Sequence, residues 1–152
     1  MDEKIKNIIL VGVLAWAITA TSLAAYYFNE YDNIKRLYES LSKKLIVVNI
    51  GIDYGNGTIS WFNGTLLPAG IDLLSATASI AKIEYTHGIY GAYVTSINGV
   101  EEKILSPKEG YSWFWFVYNA TTGTFEYGPT AADRHVLSNG EIVLWKYVHW
   151  RF

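Results

Sequence analysis

The longest uncharged stretch of the chain, from Ile8 to Phe28, limits the possible folds more than any other feature. It is apolar apart from three hydroxyl side chains and one glycine. About 20 such residues cross a hydrocarbon core of ~30 Å as an α-helix. Lys4 and Lys6 precede it, and the aromatic group 26–28 closes it where an interfacial belt is expected. The stretch predicts a single-pass transmembrane anchor in contact with membrane lipid.

A cleaved signal peptide is the competing interpretation of the same stretch. Ser22-Leu23-Ala24 has the small-x-small pattern of a cleavage site. The apolar stretch is, however, longer than the ~7–15 residues of a typical signal-peptide core. Its length therefore favours a retained anchor.

Apolar residues continue at helical spacing beyond the anchor, and no Gly or Pro occurs from 13 to 50. The chain is predicted to form one helix from about Ile5 to about Ser42, whose second half stands outside the bilayer as a stalk. Its apolar stripe either packs on the chain's own domain or joins a helix of another subunit or a second copy. The stripe has the 4-3-4-3 spacing of a heptad seam and consists of Tyr27, Tyr31, Ile34, Tyr38 and Leu41.

The periodicity changes from helical to alternating after Lys44. Leu45–Asp53 alternates apolar and polar side chains, which is typical of a half-buried strand. Asn56-Gly57 predicts a hairpin turn into a second strand at 58–63. A short amphipathic helix is predicted from Leu73 to about Ile83, capped by Asp72. Further strands are predicted at 92–97, 113–118 and 141–150.

This order of elements predicts an α+β fold class: an N-terminal transmembrane and stalk helix over residues 1–44, then a β-grasp-like domain over 45–152. The domain would combine a mixed β-sheet with one short packed helix. The flanking Lys and Arg counts are similar on both sides of the anchor, so they do not decide its orientation. Three Asn-x-Thr sequons favour an extracytoplasmic domain and are candidate glycosylation sites, at Asn56, Asn63 and Asn119.

Several segments of the domain also point to a family. They are 53–57, 67–74, 90–100, 111–113 and 139–145, with the Gly-x-Tyr-Val-x-x-Ile-Asn-Gly stretch as the most specific. Together they resemble the uncharacterised surface domain family related to the C-terminal domain of transcobalamin and intrinsic factor. The resemblance implies a β-grasp-like fold and membership among exported, often anchored proteins. In the vitamin carriers this domain closes over a corrinoid.

Aromatic residues are the main candidates for a binding site. One predicted helix covers one face of the sheet, so the second face must be covered by the stalk, a neighbouring subunit, a ligand or loops of the same chain. Exposed aromatic surface of this kind usually marks an interface. The alternative is that the rings are ordinary core. The predicted ligand or partner face consists of Trp61, Trp113, Trp115, Tyr118 and Trp145.

Catalytic, metal and nucleic-acid sites are not predicted. The three histidines lie in separate segments without metal-ligand spacing, and there is no cysteine. Asp133-Arg134 is interpreted as a solvated turn, because no nucleophile motif accompanies it. A net charge of −2 without a basic block argues against nucleic acid. The sequence predicts a non-enzymatic binding domain without cofactor or metal, acting as an accessory or structural subunit of a membrane or cell-surface assembly. The alternative is a module that binds a planar, corrinoid- or sugar-like small molecule.

Overall fold

The computed structural model describes residues 2–152, and Met1, the first residue of the predicted anchor, lies outside them. The chain divides into two compact units, a helix that ends at Ser42 and a globular unit, Lys43–Phe152. Helix α1 runs over Glu3–Ser42, 40 residues, or about 60 Å at 1.5 Å per residue. The prediction of one continuous helix is confirmed.

The apolar half of α1 satisfies its own polar groups. The hydroxyls of Thr19, Thr21 and Ser22 donate to carbonyl oxygens one turn earlier, at 2.8, 2.7 and 2.8 Å. Such back-bonding removes the cost of placing hydroxyls in hydrocarbon. Among residues 2–152, α1 is the one helix long and apolar enough to cross a membrane, with a mean hydropathy of 2.2 in its 18-residue window.

The globular unit has a main sheet, a smaller sheet and a short helix. The elements are β1 (Leu45–Asp53), β2 (Ile59–Pro68), α2 (Leu73–Ala78), β3 (Ile83–Gly88), β4 (Gly91–Ile97), β5 (Val100–Glu101), β6 (Lys103–Ser106), β7 (Glu109–Asn119), β8 (Thr124–Tyr127) and β9 (Ile142–Arg151). The main sheet has the order β2-β1-β9-β7-β6, with β8 paired to β7, and the smaller sheet has the order β3-β4-β5. The first and last strands, β1 and β9, are parallel neighbours, while the other pairs are antiparallel.

The core lies on one face of the main sheet, which we call the inner face. Alternating side chains of β1, β7 and β9 pack there against α2 and the smaller sheet. Asp72 begins α2 by accepting a hydrogen bond from Ser75 N at 2.8 Å. Burial of these apolar side chains is the main stabilising term of the unit. The inner-face residues of the three strands are Ile46, Val48, Ile50, Ile52, Trp113, Trp115, Val143 and Trp145.

The α+β class, with a long apolar helix, a mixed sheet and one short helix, is confirmed. The structure differs from the prediction in its second, three-stranded sheet, in the unpredicted strands β5 and β6, in the length of β2, and in the region of α2 and β3. Helix α2 ends at Ala78, because Lys82 and Asn98 exchange hydrogen bonds of 3.0 and 2.7 Å that draw the chain into the smaller sheet. Ile83 therefore begins β3, a strand that was not predicted. Five of its six residues are exposed, so its sequence shows no apolar alternation.

Candidate binding surfaces

Three of the five predicted partner-face residues lie in the core. Trp113, Trp115 and Trp145 are 4%, 7% and 2% exposed. Each indole N–H donates within the unit, to Val100 O at 2.8 Å, Thr130 O at 2.9 Å and Thr77 Oγ1 at 2.9 Å. Buried rings with satisfied polar atoms are ordinary core. These three indoles therefore contribute stability and not an exposed partner face.

The opposite face of the main sheet, which we call the outer face, carries a row of side chains that crosses five strands. Strand register places Tyr127 beside Phe116, Phe116 beside Leu144, Leu144 beside Gly51 and Gly51 beside Trp61. At about 4.8 Å per strand this row is about 19 Å long. Gly51 leaves room for the Trp61 ring, since an added Cβ would stand 2.9 Å from it.

The rings on the outer face contact one another, and three of the five are accessible, whereas Phe116 is only 8% exposed. Phe116 and Tyr127 have ring centroids 4.4 Å apart, and Tyr118 and Phe125 are 5.3 Å apart. Tyr127, Trp61 and Tyr118 are 65%, 41% and 37% exposed. Exposed aromatic residues concentrated on one face of a sheet are typical of an interaction site. We define the outer aromatic surface as Trp61, Phe116, Tyr118, Phe125 and Tyr127.

The structure thus separates the five predicted residues into two groups on opposite faces. Trp61 and Tyr118 belong to the outer aromatic surface, and Trp113, Trp115 and Trp145 belong to the core. The alternation of 113–118 in the sequence correctly separates odd from even positions, but it does not say which set faces the core. Tyr127 and Phe125 are not among the five predicted residues, and their place on this face follows from the β7–β8 register.

Two concave regions border these rings. A cleft of about 180 Å³ lies where β4 meets the edge of β7 and is lined by side chains that include Trp113, Phe114, Tyr127 and Thr130. It is smaller than the roughly 300–1,000 Å³ usual for small-molecule sites. The second is an open depression of about 260 Å³ on the outer face, lined by Asn49, Trp61, Asn63 and Ile142.

Several titratable side chains of the globular unit hold its loops and strands in place. No three His, Cys, Asp or Glu side chains in the part of the chain that the structure describes are placed to hold a metal ion. His135 Nε2 lies 2.6 Å from Glu141 Oε1, and Glu141 Oε2 accepts from Ser138 N at 2.8 Å. This pair fixes the loop before β9. Asp133 is not the solvated residue predicted, because its Oδ1 accepts from Ala92 N at 2.9 Å and holds the start of β4.

The remaining predicted sites lie in three places. The heptad seam, Tyr27 to Leu41, lies within α1. Asn56 occupies the β1–β2 turn and Asn63 lies in β2, and both are exposed. Asn119 ends β7, and its Nδ2 donates to Glu126 Oε1 at 2.8 Å.

Tyr93 gives a prediction for alkaline pH. Burial, and next the hydrogen bond from its hydroxyl to Glu102 Oε2 at 2.6 Å, raise the pKa of Tyr93 above 10.0. Since the folded state holds this proton more tightly, the bond stabilises the fold below about pH 10 and loses that effect as the pH rises further. We expect Tyr93→Phe to reduce the loss of stability above pH 10 in denaturant unfolding series.

The control for this prediction is Tyr90→Phe, which removes a phenol that is 81% exposed. It should leave the slope of stability against alkaline pH unchanged. Equal slopes for the two variants would show that the Tyr93–Glu102 bond does not contribute.

Comparisons with known proteins identify a related fold. No family model and no curated protein sequence matches the chain. Haptocorrin, crystallised in complex with Cbi, matches with a TM-score of 0.53 and 20% identity over 70% of this chain. The chain spans about a quarter (26%) of the haptocorrin chain. A protein from Ruminococcus gnavus, described as a candidate metal-binding protein, matches with a TM-score of 0.50 and 16% identity over 70% of this chain and 98% of its own. At these identities the likeness is one of fold alone, which agrees with the fold implied by the sequence resemblance.

Proposed function

We propose that this protein is a single-pass membrane protein whose domain lies on the extracytoplasmic side and acts by binding, without catalysis. It serves as an accessory or structural subunit of a membrane or cell-surface assembly. The observation that carries the proposal is the outer aromatic surface, where three of the five rings are exposed by more than a third. Exposed aromatic side chains suit a protein partner, because Trp and Tyr bury much area at small entropic cost.

The length and composition of α1 support the membrane part of the proposal. Its apolar half matches the thickness of a bilayer, and its hydroxyls are bonded within the helix. The heptad seam adds a second contact element, through which α1 joins a helix of a second copy or of another subunit. The partners are therefore membrane lipid and other subunits.

The first test measures assembly of the full-length protein in mild detergent. The double variant Ile34→Ser and Tyr38→Ser removes two apolar seam positions. Each buried apolar side chain of this size contributes about 1.5–3 kcal/mol. We therefore expect the dissociation constant of the complex to rise at least about 100-fold, as measured by sedimentation or native mass spectrometry.

A matched double variant, Lys35→Ser and Glu39→Ser, changes the next position on the same two turns and should leave assembly intact. A full-length wild-type protein that sediments as a monomer with no partner would contradict the proposal. Orientation is tested separately, by labelling domain lysines on intact cells with an impermeant reagent. Labelling only after lysis would place the domain inside.

A second candidate function is small-molecule binding, and the match to haptocorrin in complex with Cbi favours it. The cleft beside β7 would take part, since Trp113 and Trp115 line it. Titration of the full-length protein with a corrinoid such as cobalamin should then quench tryptophan fluorescence to saturation. A monomer that binds the corrinoid in this way would replace the assembly hypothesis.

A further inference from the structure

The depression on the outer face has a sequon at its rim. Asn63 lines it together with Trp61, Asn49 and Ile142. Asn63-Gly64-Thr65 is an N-glycosylation acceptor sequence. Trp61 and Asn63 are two positions apart in β2, so their side chains lie on the same face of the sheet. The acceptor amide thus stands beside an exposed indole.

A β-bulge holds this arrangement. The β1–β2 register shifts between Val48 and Ile50. Gly64 takes a φ of 66°, where non-glycine residues are rare, and its N–H donates to Asn49 Oδ1 at 2.8 Å. The Thr65 hydroxyl donates to Phe62 O at 2.9 Å. The sequon is therefore part of an ordered strand with a fixed side-chain direction.

We propose that Asn63 carries an N-linked glycan whose first sugar lies against the Trp61 ring and fills the depression. The inference rests on the proposed extracytoplasmic location, where glycosyl transfer takes place. In the transfer, the Asn63 Nδ2 forms a bond to the anomeric carbon of an oligosaccharide carried on a polyprenyl phosphate. The bond from that carbon to the phosphate oxygen breaks, the lipid phosphate leaves as an anion, and the amide proton passes to a base of the transferase. No oxidation occurs.

The other two sequons lack this setting. Both polar atoms of the Asn119 side chain are already in hydrogen bonds. Its Nδ2 donates to Glu126 Oε1 at 2.8 Å, and its Oδ1 accepts from Thr121 N at 2.9 Å. Asn56 lies in the open turn after β1, and a Cβ added at neighbouring Gly57 would meet nothing within 4 Å. A glycan on Asn56 would extend into solvent. At Asn63 the apolar face of the sugar instead covers part of an indole that is 41% exposed. Trp61 lies at one end of the row that crosses the five strands, so this glycan leaves Tyr118 and Tyr127, at the other end, open to a protein partner.

The first experiment uses mass spectrometry of proteolytic peptides to find which sequons carry a glycan. Full-length protein is isolated in mild detergent from the membranes of its own cell, and the peptide that contains Asn63 should carry a glycan. An unmodified Asn63 on a domain that impermeant reagents label from outside would overturn the inference and leave the proposed location intact. Labelling only after lysis would overturn both.

The second experiment tests the contact between the sugar and Trp61. Protein made in a host with an N-glycosylating secretory pathway is compared before and after enzymatic removal of the glycan. We expect removal to lower Tm by about 4 °C in the wild type and in Trp61→Phe, which keeps a ring. In Trp61→Leu the shift should fall to less than half.

Two variants that each delete one sequon test whether the stabilisation depends on a glycan at Asn63 or on a glycan at any sequon. Asn63→Gln should reproduce the lower Tm, whereas Asn56→Gln should leave Tm unchanged. If removal of the glycan lowered Tm equally in Trp61→Leu and the wild type, the proposed contact between the sugar and Trp61 would be wrong. It would also be wrong if Asn56→Gln, and not Asn63→Gln, lowered Tm.

Discussion

Trp145→Ala is expected to lower the free energy of unfolding of the globular unit by about 3–5 kcal/mol, the usual cost of truncating a buried aromatic residue to alanine. Trp145 is 2% exposed and lies at the centre of the inner face, between β1 and β7. Its indole N–H donates to Thr77 Oγ1 at 2.9 Å. The variant therefore leaves a cavity and removes a buried hydrogen bond. Denaturant unfolding of the full-length protein in mild detergent measures the change.

Two other ring-to-alanine variants make this prediction discriminating. Tyr90 is 81% exposed, so Tyr90→Ala should change stability by less than about 0.5 kcal/mol. Trp61 is 41% exposed on the outer face, so the loss of unfolding free energy in Trp61→Ala should lie between those of Tyr90→Ala and Trp145→Ala. If Trp145→Ala lowered the free energy of unfolding no more than Trp61→Ala does, the assignment of Trp145 to the core would be wrong. Trp145 would then belong to the partner face predicted from the sequence.

The helix and the main strands could be predicted because their patterns are local. The uncharged stretch from 8 to 28 and the apolar spacing that follows define α1 without reference to the rest of the chain. The alternation in Leu45–Asp53 and the Asn-Gly turn likewise define the β1–β2 hairpin, although β2 continues to Pro68. Such features depend on neighbours in sequence, and sequence displays those directly.

The candidate site could not be predicted in the same way, because it depends on register between distant strands. Trp61 and Tyr127 belong to one row only through Gly51, Leu144 and Phe116, which lie on three other strands. The aromatic content of β7 is high on both faces, so composition does not distinguish core from surface. The Thr77 hydroxyl accepts a hydrogen bond from the buried Trp145 indole. No pattern in the sequence around Thr77 indicates this contact.

The Trp115 indole lies across Gly128, and this contact gives the second large prediction. A Cβ added at Gly128 would overlap the Trp115 ring. The backbone also fixes the pair, because Gly128 N donates to Trp115 O at 2.9 Å and Trp115 Nε1 donates to Thr130 O at 2.9 Å. We expect Gly128→Ala to lower the free energy of unfolding by about 2–3 kcal/mol, the upper part of the range of about 1–3 kcal/mol for overpacking a well-filled site.

Gly88→Ala is the matched control for Gly128→Ala. A Cβ at Gly88 would have its nearest neighbour, Gly91 O, at 3.8 Å, so the change should stay within about 0.5 kcal/mol. In a Trp115→Leu background the cost of Gly128→Ala should fall by at least half, since the ring that it displaces is gone. An unchanged cost in that background would show that another contact opposes the added methyl group. A reduced cost would establish that this indole positions the 128–131 segment, which forms one wall of the cleft beside β7.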